Sequence, residues 1–167
     1  MSRWFERKFA FDFPVELYPN ILARLRGTPA RLEELAASVP AAVLVAKPDG
    51  KWSAQENAGH LLDLEPLWAG RVSDFLSGRR VLTPADLANK KTNEAHHNDS
   101  PIPDILTKFR SARKAFLDQL ESLDGSDFSR QSSHPRLNTP MRLVDHVFFV
   151  AEHDDHHLAR IWQLIRL

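Results

Sequence analysis

The chain has 167 residues, which fits one domain spanning 1–167, and its 22 basic and 22 acidic side chains give a formal net charge of zero. The balanced charge excludes the strongly basic surface expected of a dedicated nucleic-acid-binding protein. The sequence contains eight histidines and no cysteine, so it has no disulfide, thiolate nucleophile or cysteine-ligated metal site.

The N-terminal segment 1–13 mixes charged residues with Trp and Phe and lacks the continuous apolar run of a signal peptide. No stretch of 18 or more apolar residues occurs elsewhere, so no membrane-spanning segment is predicted. We therefore expect a cytoplasmic protein that does not bind membranes.

The first helical segment is predicted from about Pro14 to Val39. Within it, Thr28 followed by Pro29 resembles an N-cap and a first-turn proline, and Gly27 precedes them. This pattern predicts two helices, or one helix that is broken at Gly27.

The second segment begins at Ser53, where Ser53 and Glu56 form the sequence signature of a capping box. The segment is predicted to run to about Ser77 and to end at Gly78. Pro66 lies inside it, and a kink is expected nearby because proline removes a helical hydrogen bond.

The third segment is predicted from about Pro103 to Leu123, and the fourth from Pro140 to Arg166 with Thr139 as its N-cap. Two polar linkers, 79–102 and 125–138, separate these helices, and no strand-like alternation of useful length appears. The predicted fold is an all-α antiparallel four-helix bundle with one long crossover connection.

The most informative motif is the run His153-Asp154-Asp155-His156-His157 in the last segment. Four residues separate His153 from His157, so on a helix they occupy one face and two imidazoles can share one metal. The same face carries apolar residues, which predicts that the pair points inward. The alternative is two core histidines that bind neighbouring carbonyls or carboxylates.

His60, two turns into the second segment, is the natural third ligand, because neighbouring helices of a bundle can direct side chains to one interior point. Three imidazoles leave a coordination position open, as in catalytic sites. The run also resembles the metalloprotease pattern H-E-x-x-H, but Asp154 replaces the glutamate and only ten residues follow His157. A metalloprotease is therefore not predicted.

The remaining histidines carry weaker signals. His146 lies on the inward stripe and could line the same cavity, whereas His156 points about 100° away from His157. His96 lies with His97 in the long linker, and His134 precedes Pro135 and is predicted to be a turn residue. As candidate cavity or supporting residues we take His146, Glu56, His156 and His96.

These motifs resemble the DinB-like superfamily of bundle proteins, which includes YfiT-type hydrolases and thiol-dependent S-transferases. The resemblance extends from about residue 15 to the end of the chain. It rests on Trp52-Ser53-x-x-Glu56, Gly59-His60-Leu61-x-Asp63, His146, and His153-x-x-His156-His157 with Arg160-Ile161.

The resemblance implies a divalent metal held by His60, His153 and His157, the residues that helical spacing also selects. It also implies a homodimer that acts either as a hydrolase or as a thiol-dependent transferase. In the second case the thiol would be a separate low-molecular-weight compound, because the chain has no cysteine. The linker residues Asn89, Thr92, Asn93 and His96 could cover the metal. Imidazole ligands do not distinguish zinc, nickel and iron. The alternative function is a non-catalytic metal-binding or stress-associated dimer.

Overall fold

The computed structural model describes residues 3–167, and four long helices dominate it. In chain order the elements are α1 (Tyr18–Ala36), α2 (Ala41–Leu44), α3 (Ala54–Leu76), α4 (Lys90–Glu94), α5 (Ile102–Glu121), β1 (Gln131–His134), β2 (Thr139–Arg142) and α6 (Leu143–Leu164). Both α1 and α3 pack against α5 and α6, which places α1 diagonally opposite α3. The predicted four-helix bundle is confirmed. Within residues 3–167, no helix is long and apolar enough to cross a membrane.

The first segment is one continuous helix, so the predicted break at Gly27 is wrong. Pro29 lies inside α1 and leaves the carbonyl of Leu25 without its usual N–H donor. Arg113 of α5 donates from Nη1 to that carbonyl at 3.3 Å. The Thr28 hydroxyl donates to Asp154 at 2.8 Å instead of capping a new helix. Tertiary hydrogen bonds thus stabilise α1 across the proline.

The capping box at the start of α3 is confirmed. The Glu56 N–H donates to Ser53 Oγ at 3.0 Å, and the Ser53 N–H donates to Glu56 Oε2 at 2.8 Å. The helix continues through Pro66 to Leu76, and Gly78 follows with a φ of 70°, a left-handed conformation that favours glycine.

The fourth helix begins later than predicted, because residues 131–142 form an antiparallel hairpin in which Gln131 pairs with Arg142 and His134 with Thr139. The interpretations of Thr139 as an N-cap and of this region as free of strands are both wrong. Each strand has only four residues, too few for alternation to be recognised. Arg142 is the N-cap of α6 instead, and its N–H donates to Asp145 Oδ2 at 2.8 Å.

A layer of polar side chains divides the bundle interior into two apolar clusters. Along α1, Leu25 belongs to one cluster and Leu32 to the other, and along α5 the same holds for Phe116 and Phe109. The buried polar residues between the clusters come from all four long helices: Thr28, His60, Glu65, Arg113, His153, Asp154 and His157. This layer contains the candidate site.

Candidate metal centre

Three histidine side chains from two helices meet inside the bundle. His60 projects from α3, and His153 and His157 lie one turn apart on α6. Each offers one ring nitrogen, and these nitrogens all lie within 4.8 Å of one another. All three residues are buried. Imidazole nitrogens grouped this closely fit a divalent metal site.

The orientation of His60 is set by a hydrogen-bonded chain that ends at a carboxylate. The Thr92 hydroxyl donates to Asp63 Oδ2 at 2.9 Å, so its oxygen accepts from His60 Nδ1, also at 2.9 Å. A neutral imidazole carries one proton, and with that proton on Nδ1 the lone pair of Nε2 is free to bind a metal. Supporting contacts of this kind commonly hold metal-binding histidines.

His157 is oriented in the same way by a side-chain amide. Asn57 donates from Nδ2 to the carbonyl of Ser53 at 2.7 Å, which identifies its other atom, Oδ1, as the acceptor for His157 Nδ1 at 2.8 Å. The proton on Nδ1 again leaves Nε2 available as a ligand atom. Asn57 lies one turn before His60 on α3, so a single helix supplies one ligand and supports another.

The three rings are neutral at physiological pH. Burial lowers the pKa of His60 to about 4, and burial together with the neighbouring histidines lowers the pKa of His153 and of His157 well below the ordinary value. Neutral imidazole is the form that binds a metal. Within residues 3–167, His153 Nδ1 is buried and has no hydrogen-bond partner. The donor set, its protonation and this unpartnered ring all fit a bound divalent ion.

The histidine cluster is accessible from two spaces. A cavity of about 190 Å³ is lined by His60 and His153 together with Trp4, Trp68 and Phe149. His157 borders a separate groove of about 520 Å³, which Trp52, His156 and Arg160 also line. A metal at the cluster would therefore have room for ligands that the protein does not supply.

Asp63 also docks the long connection between α3 and α5 onto the site. His97 donates from Nε2 to Asp63 Oδ2 at 2.8 Å. Burial disfavours the charged carboxylate, but hydrogen bonds from His97 and Thr92 outweigh this and lower the pKa of Asp63. The His97 ring packs so closely on Gly59 that a Cβ at this position would overlap it. The absence of a side chain at Gly59 thus allows the connection to approach His60.

The other residues predicted for the site occupy different places. His146 is fully buried and donates from Nε2 to the carbonyl of Trp68 at 3.3 Å, and it lines neither the cavity nor the groove. His156 is half-buried and lines the groove beside His157. Glu56 binds Lys47 at 2.7 Å in addition to capping α3, and His96 is exposed and lines neither space.

His134 was predicted to be a turn residue, and this is wrong. It ends β1, is 2% exposed and lines the cavity. Asp154, which stands where the metalloprotease pattern has a glutamate, is fully buried and binds Arg113 at 2.5 Å. It is thus paired with a cation and not placed as a general base. The orienting contacts of Asn57 and Thr92 were not predicted. Asn57 lies one turn before His60 on the same helix, so it could have been considered from spacing alone. Thr92 was predicted only as a linker residue near the metal, because the 32 residues between it and His60 hide the contact.

Replacing Thr92 with valine is expected to weaken metal binding by about 10–100-fold, the usual effect of removing a supporting contact. The valine keeps the volume but removes the acceptor for His60 Nδ1 and one donor to Asp63. Affinity is measured by competition with a chromophoric chelator. Thr107→Val, at an exposed position of α5, is the matched control. Equal affinity in the two variants would contradict the role of Thr92.

Comparisons with known proteins identify relatives of this fold. The family model of the DinB superfamily matches residues 24–161. A structure described as "YfiT from Bacillus subtilis is a probable metal-dependent hydrolase with an unusual four-helix bundle topology" is 21% identical, with a TM-score of 0.81 over 96% of this chain and 93% of that one. The mycothiol-dependent maleylpyruvate isomerase is 12% identical, with a TM-score of 0.66 over 89% of this chain and 60% of that one. No curated protein matches the chain. At these identities the two structures establish a shared fold.

Proposed function

This chain belongs to the DinB superfamily, and on that basis we propose that it is a divalent-metal-dependent enzyme that acts on small molecules. One observation carries the proposal: the nitrogens of three neutral, buried histidines lie within 4.8 Å of one another, beside a cavity. A purely structural metal site is closed by four protein ligands, whereas three ligands and an adjacent cavity are typical of catalysis.

In this proposal His60, His153 and His157 hold the ion, and zinc, nickel and iron all suit imidazole ligands. When bound, the ion would supply Lewis-acid activation, which lowers the pKa of a water or a thiol. Thr92 and Asn57 keep the rings of His60 and His157 in their ligand tautomers. Trp4, Trp68 and Phe149 line the cavity and would shield the reacting end of a bound substrate from water.

Thiol transfer is the reaction that the two spaces at the cluster favour. One substrate can occupy the cavity beside His60 and His153, and the other can reach the cluster from the groove beside His157. The chain has no cysteine, so the thiol would be a separate small molecule. One structure with the same fold is described as mycothiol-dependent.

Hydrolysis is the second candidate, and the likeness to a structure described as a probable metal-dependent hydrolase favours it. The same three histidines would serve, with water in place of the thiol. The assay below distinguishes the two reactions. The homodimer that the sequence resemblance implies stays a prediction, and a measurement of the protein's mass in solution tests it.

The test uses the purified full chain, stripped with a chelator and then reloaded separately with zinc, nickel or iron. One assay follows transfer of mercaptoethanol to chlorodinitrobenzene, in which sulfur bonds to the ring carbon, chloride leaves with the electron pair and the thiol proton passes to the buffer. A second assay follows hydrolysis of nitrophenyl acetate. We expect stripping to lower one of the two rates by at least about 100-fold, the scale on which activation of a bound nucleophile contributes, and one metal to restore it.

Equal rates with and without metal in both assays would contradict the proposed function. That result, combined with stoichiometric metal binding, would favour the non-catalytic metal-binding alternative. His96→Ala is the control for the assays' metal dependence, since His96 is exposed and lines neither the cavity nor the groove.

A further inference from the structure

The polar wall of the cavity beside His60 and His153 consists largely of hydrogen-bond donors. Arg71, His134 and Arg136 form part of this wall, and Trp68 lies beside them. Arg71 is 2% exposed and His134 is 2% exposed, so these groups are held away from bulk water. Buried cationic donors are costly unless an acceptor binds them.

His134 and Arg71 face each other as two donors. The backbone N–H groups of Arg136 and Leu137 both donate to His134 Nδ1, at 3.2 Å and 3.1 Å. The single proton of this neutral ring is therefore on Nε2. That nitrogen lies 3.4 Å from Arg71 Nη1, which is also a donor. An acceptor atom placed beside the two groups would satisfy both.

The unmet donors extend beyond this pair. Within residues 3–167, Arg136 Nη2 and Trp68 Nε1 are buried and have no hydrogen-bond partner. The Arg136 guanidinium stacks on Phe5, at 5.2 Å from the ring centroid, instead of pairing with a carboxylate. Arg71 donates from Nε to the Thr83 carbonyl at 2.9 Å and, among the described residues, has no carboxylate partner. Two arginines that approach one cavity without a carboxylate partner are the usual basis for binding a planar oxyanion.

The carboxylates near this wall are hydrogen-bonded to other groups rather than to Arg71 or Arg136. The oxygens of Asp74 accept from Arg79 at 3.1 Å and from the Thr83 N–H at 2.7 Å. Asp86 borders the cavity, but it is exposed and accepts from the backbone N–H groups of Ala88 and Lys90. Burial lowers the pKa of Arg71 to about 10, although the charge of Asp74 acts in the opposite direction, and Arg71 stays charged at neutral pH.

We infer that this cavity binds a small organic acid, with its carboxylate at Arg71, His134 and Arg136 and its apolar body against the aromatic wall. The binding of the acid does not depend on the proposed function. Only the reaction of the bound acid at the metal rests on it. The opposite end of the ligand would reach His60 and His153, which line the same cavity. A carboxylate suits the site better than a phosphate does, since the planar guanidinium groups bind a planar carboxylate in two-point contact and the cavity of about 190 Å³ is largely apolar.

The test compares hexanoate with hexanamide, an uncharged ligand of nearly the same shape, by isothermal titration calorimetry on the full chain, metal-loaded and metal-stripped. We expect hexanoate to bind at least about tenfold more tightly in both forms, the ratio that a charge-assisted hydrogen bond provides. In Arg136→Gln the affinities for hexanoate and hexanamide should lie within about twofold of each other, because the carboxylate then loses its charge-assisted hydrogen bond from Arg136. Arg80→Gln, at an exposed arginine outside the cavity, should leave the preference unchanged.

Four outcomes would overturn the inference. Three are equal binding of acid and amide, a preference that survives in both Arg136→Gln and Arg71→Gln, and tighter binding of inorganic phosphate than of hexanoate. The fourth is loss of the preference on metal removal, because the carboxylate would then bind the ion. If hexanoate still binds more tightly than hexanamide but neither reaction depends on metal, the proposed function is wrong and this inference stands.

If catalysis depends on metal but hexanoate and hexanamide bind equally, this inference is wrong and the proposed function stands. Circular dichroism checks folding, and Arg71→Gln replaces Arg136→Gln if that variant does not fold.

Discussion

Replacing His153 with alanine is expected to remove stoichiometric metal from the protein. Loss of a supporting contact usually costs about 10–100-fold in affinity, so loss of a ligand itself should cost more than about 100-fold. His153 is one of three nitrogens that lie within 4.8 Å of one another, and two are too few to hold an ion tightly. Metal content is measured by mass spectrometry after dialysis, and metal-dependent stabilisation by thermal unfolding with and without added ion.

The matched control for His153→Ala is His146→Ala, which removes a buried histidine two turns away on the same helix. His146 binds the carbonyl of Trp68 and lies outside the cluster. We expect the control to lose stability but to keep its metal. If His153→Ala binds as much metal as the wild-type protein, the cluster is a hydrogen-bonded core network and the metal assignment is wrong. His157→Asn provides a second variant if the alanine protein does not fold.

Replacing Arg113 with methionine is expected to lower the free energy of unfolding by about 3–5 kcal/mol, the usual cost of breaking a buried ion pair. Arg113 is 1% exposed and donates to Glu65 Oε1 at 2.6 Å and to Asp154 Oδ2 at 2.5 Å. Burial opposes the charge of Arg113, but the ion pairs with Asp154 and Glu65 outweigh burial and raise its pKa. Methionine keeps most of the volume and leaves two buried carboxylates without a cation.

Arg110→Met, one turn earlier on α5, is the control for this effect. Arg110 forms an exposed ion pair with Glu33 at 2.6 Å, and such pairs contribute about 0–1 kcal/mol. Denaturant unfolding of the two variants gives the comparison, and the melting temperature of Arg113→Met should fall by roughly 6–20 °C. A loss below about 1 kcal/mol in Arg113→Met would show that the two carboxylates find other partners or protonate without consequence.

The sequence predicted the local features of the fold because their signals lie within a few residues. The capping box at Ser53 and Glu56 is a reciprocal contact three residues apart, and it starts α3 as predicted. The end of that helix at Gly78 is equally local, because the left-handed conformation there favours glycine. The spacing of His153 and His157 placed both on one face of α6, where the structure brings them beside His60.

The predictions that failed depend on partners far along the chain. Pro29 does not end α1, since Arg113 donates to the carbonyl that the proline leaves free. The hairpin of residues 131–142 is too short to show alternation, and it buries His134 against the cavity. Thr92 orients His60 from a linker whose composition shows only that it is polar.

By itself the sequence determined roughly where the four long helices lie, that no thiol comes from the chain, and that two histidines share one helix face. Periodicity and capping are local, so a chain read in isolation already contains them. The tertiary structure alone decided which distant side chains complete the site: Thr92 and Asn57 behind the rings, Arg113 between two buried carboxylates, and Arg71 and Arg136 in the cavity wall. These contacts join residues up to 100 positions apart. They exist because packing four helices around one polar layer brings together charges and donors that burial then forces to find partners.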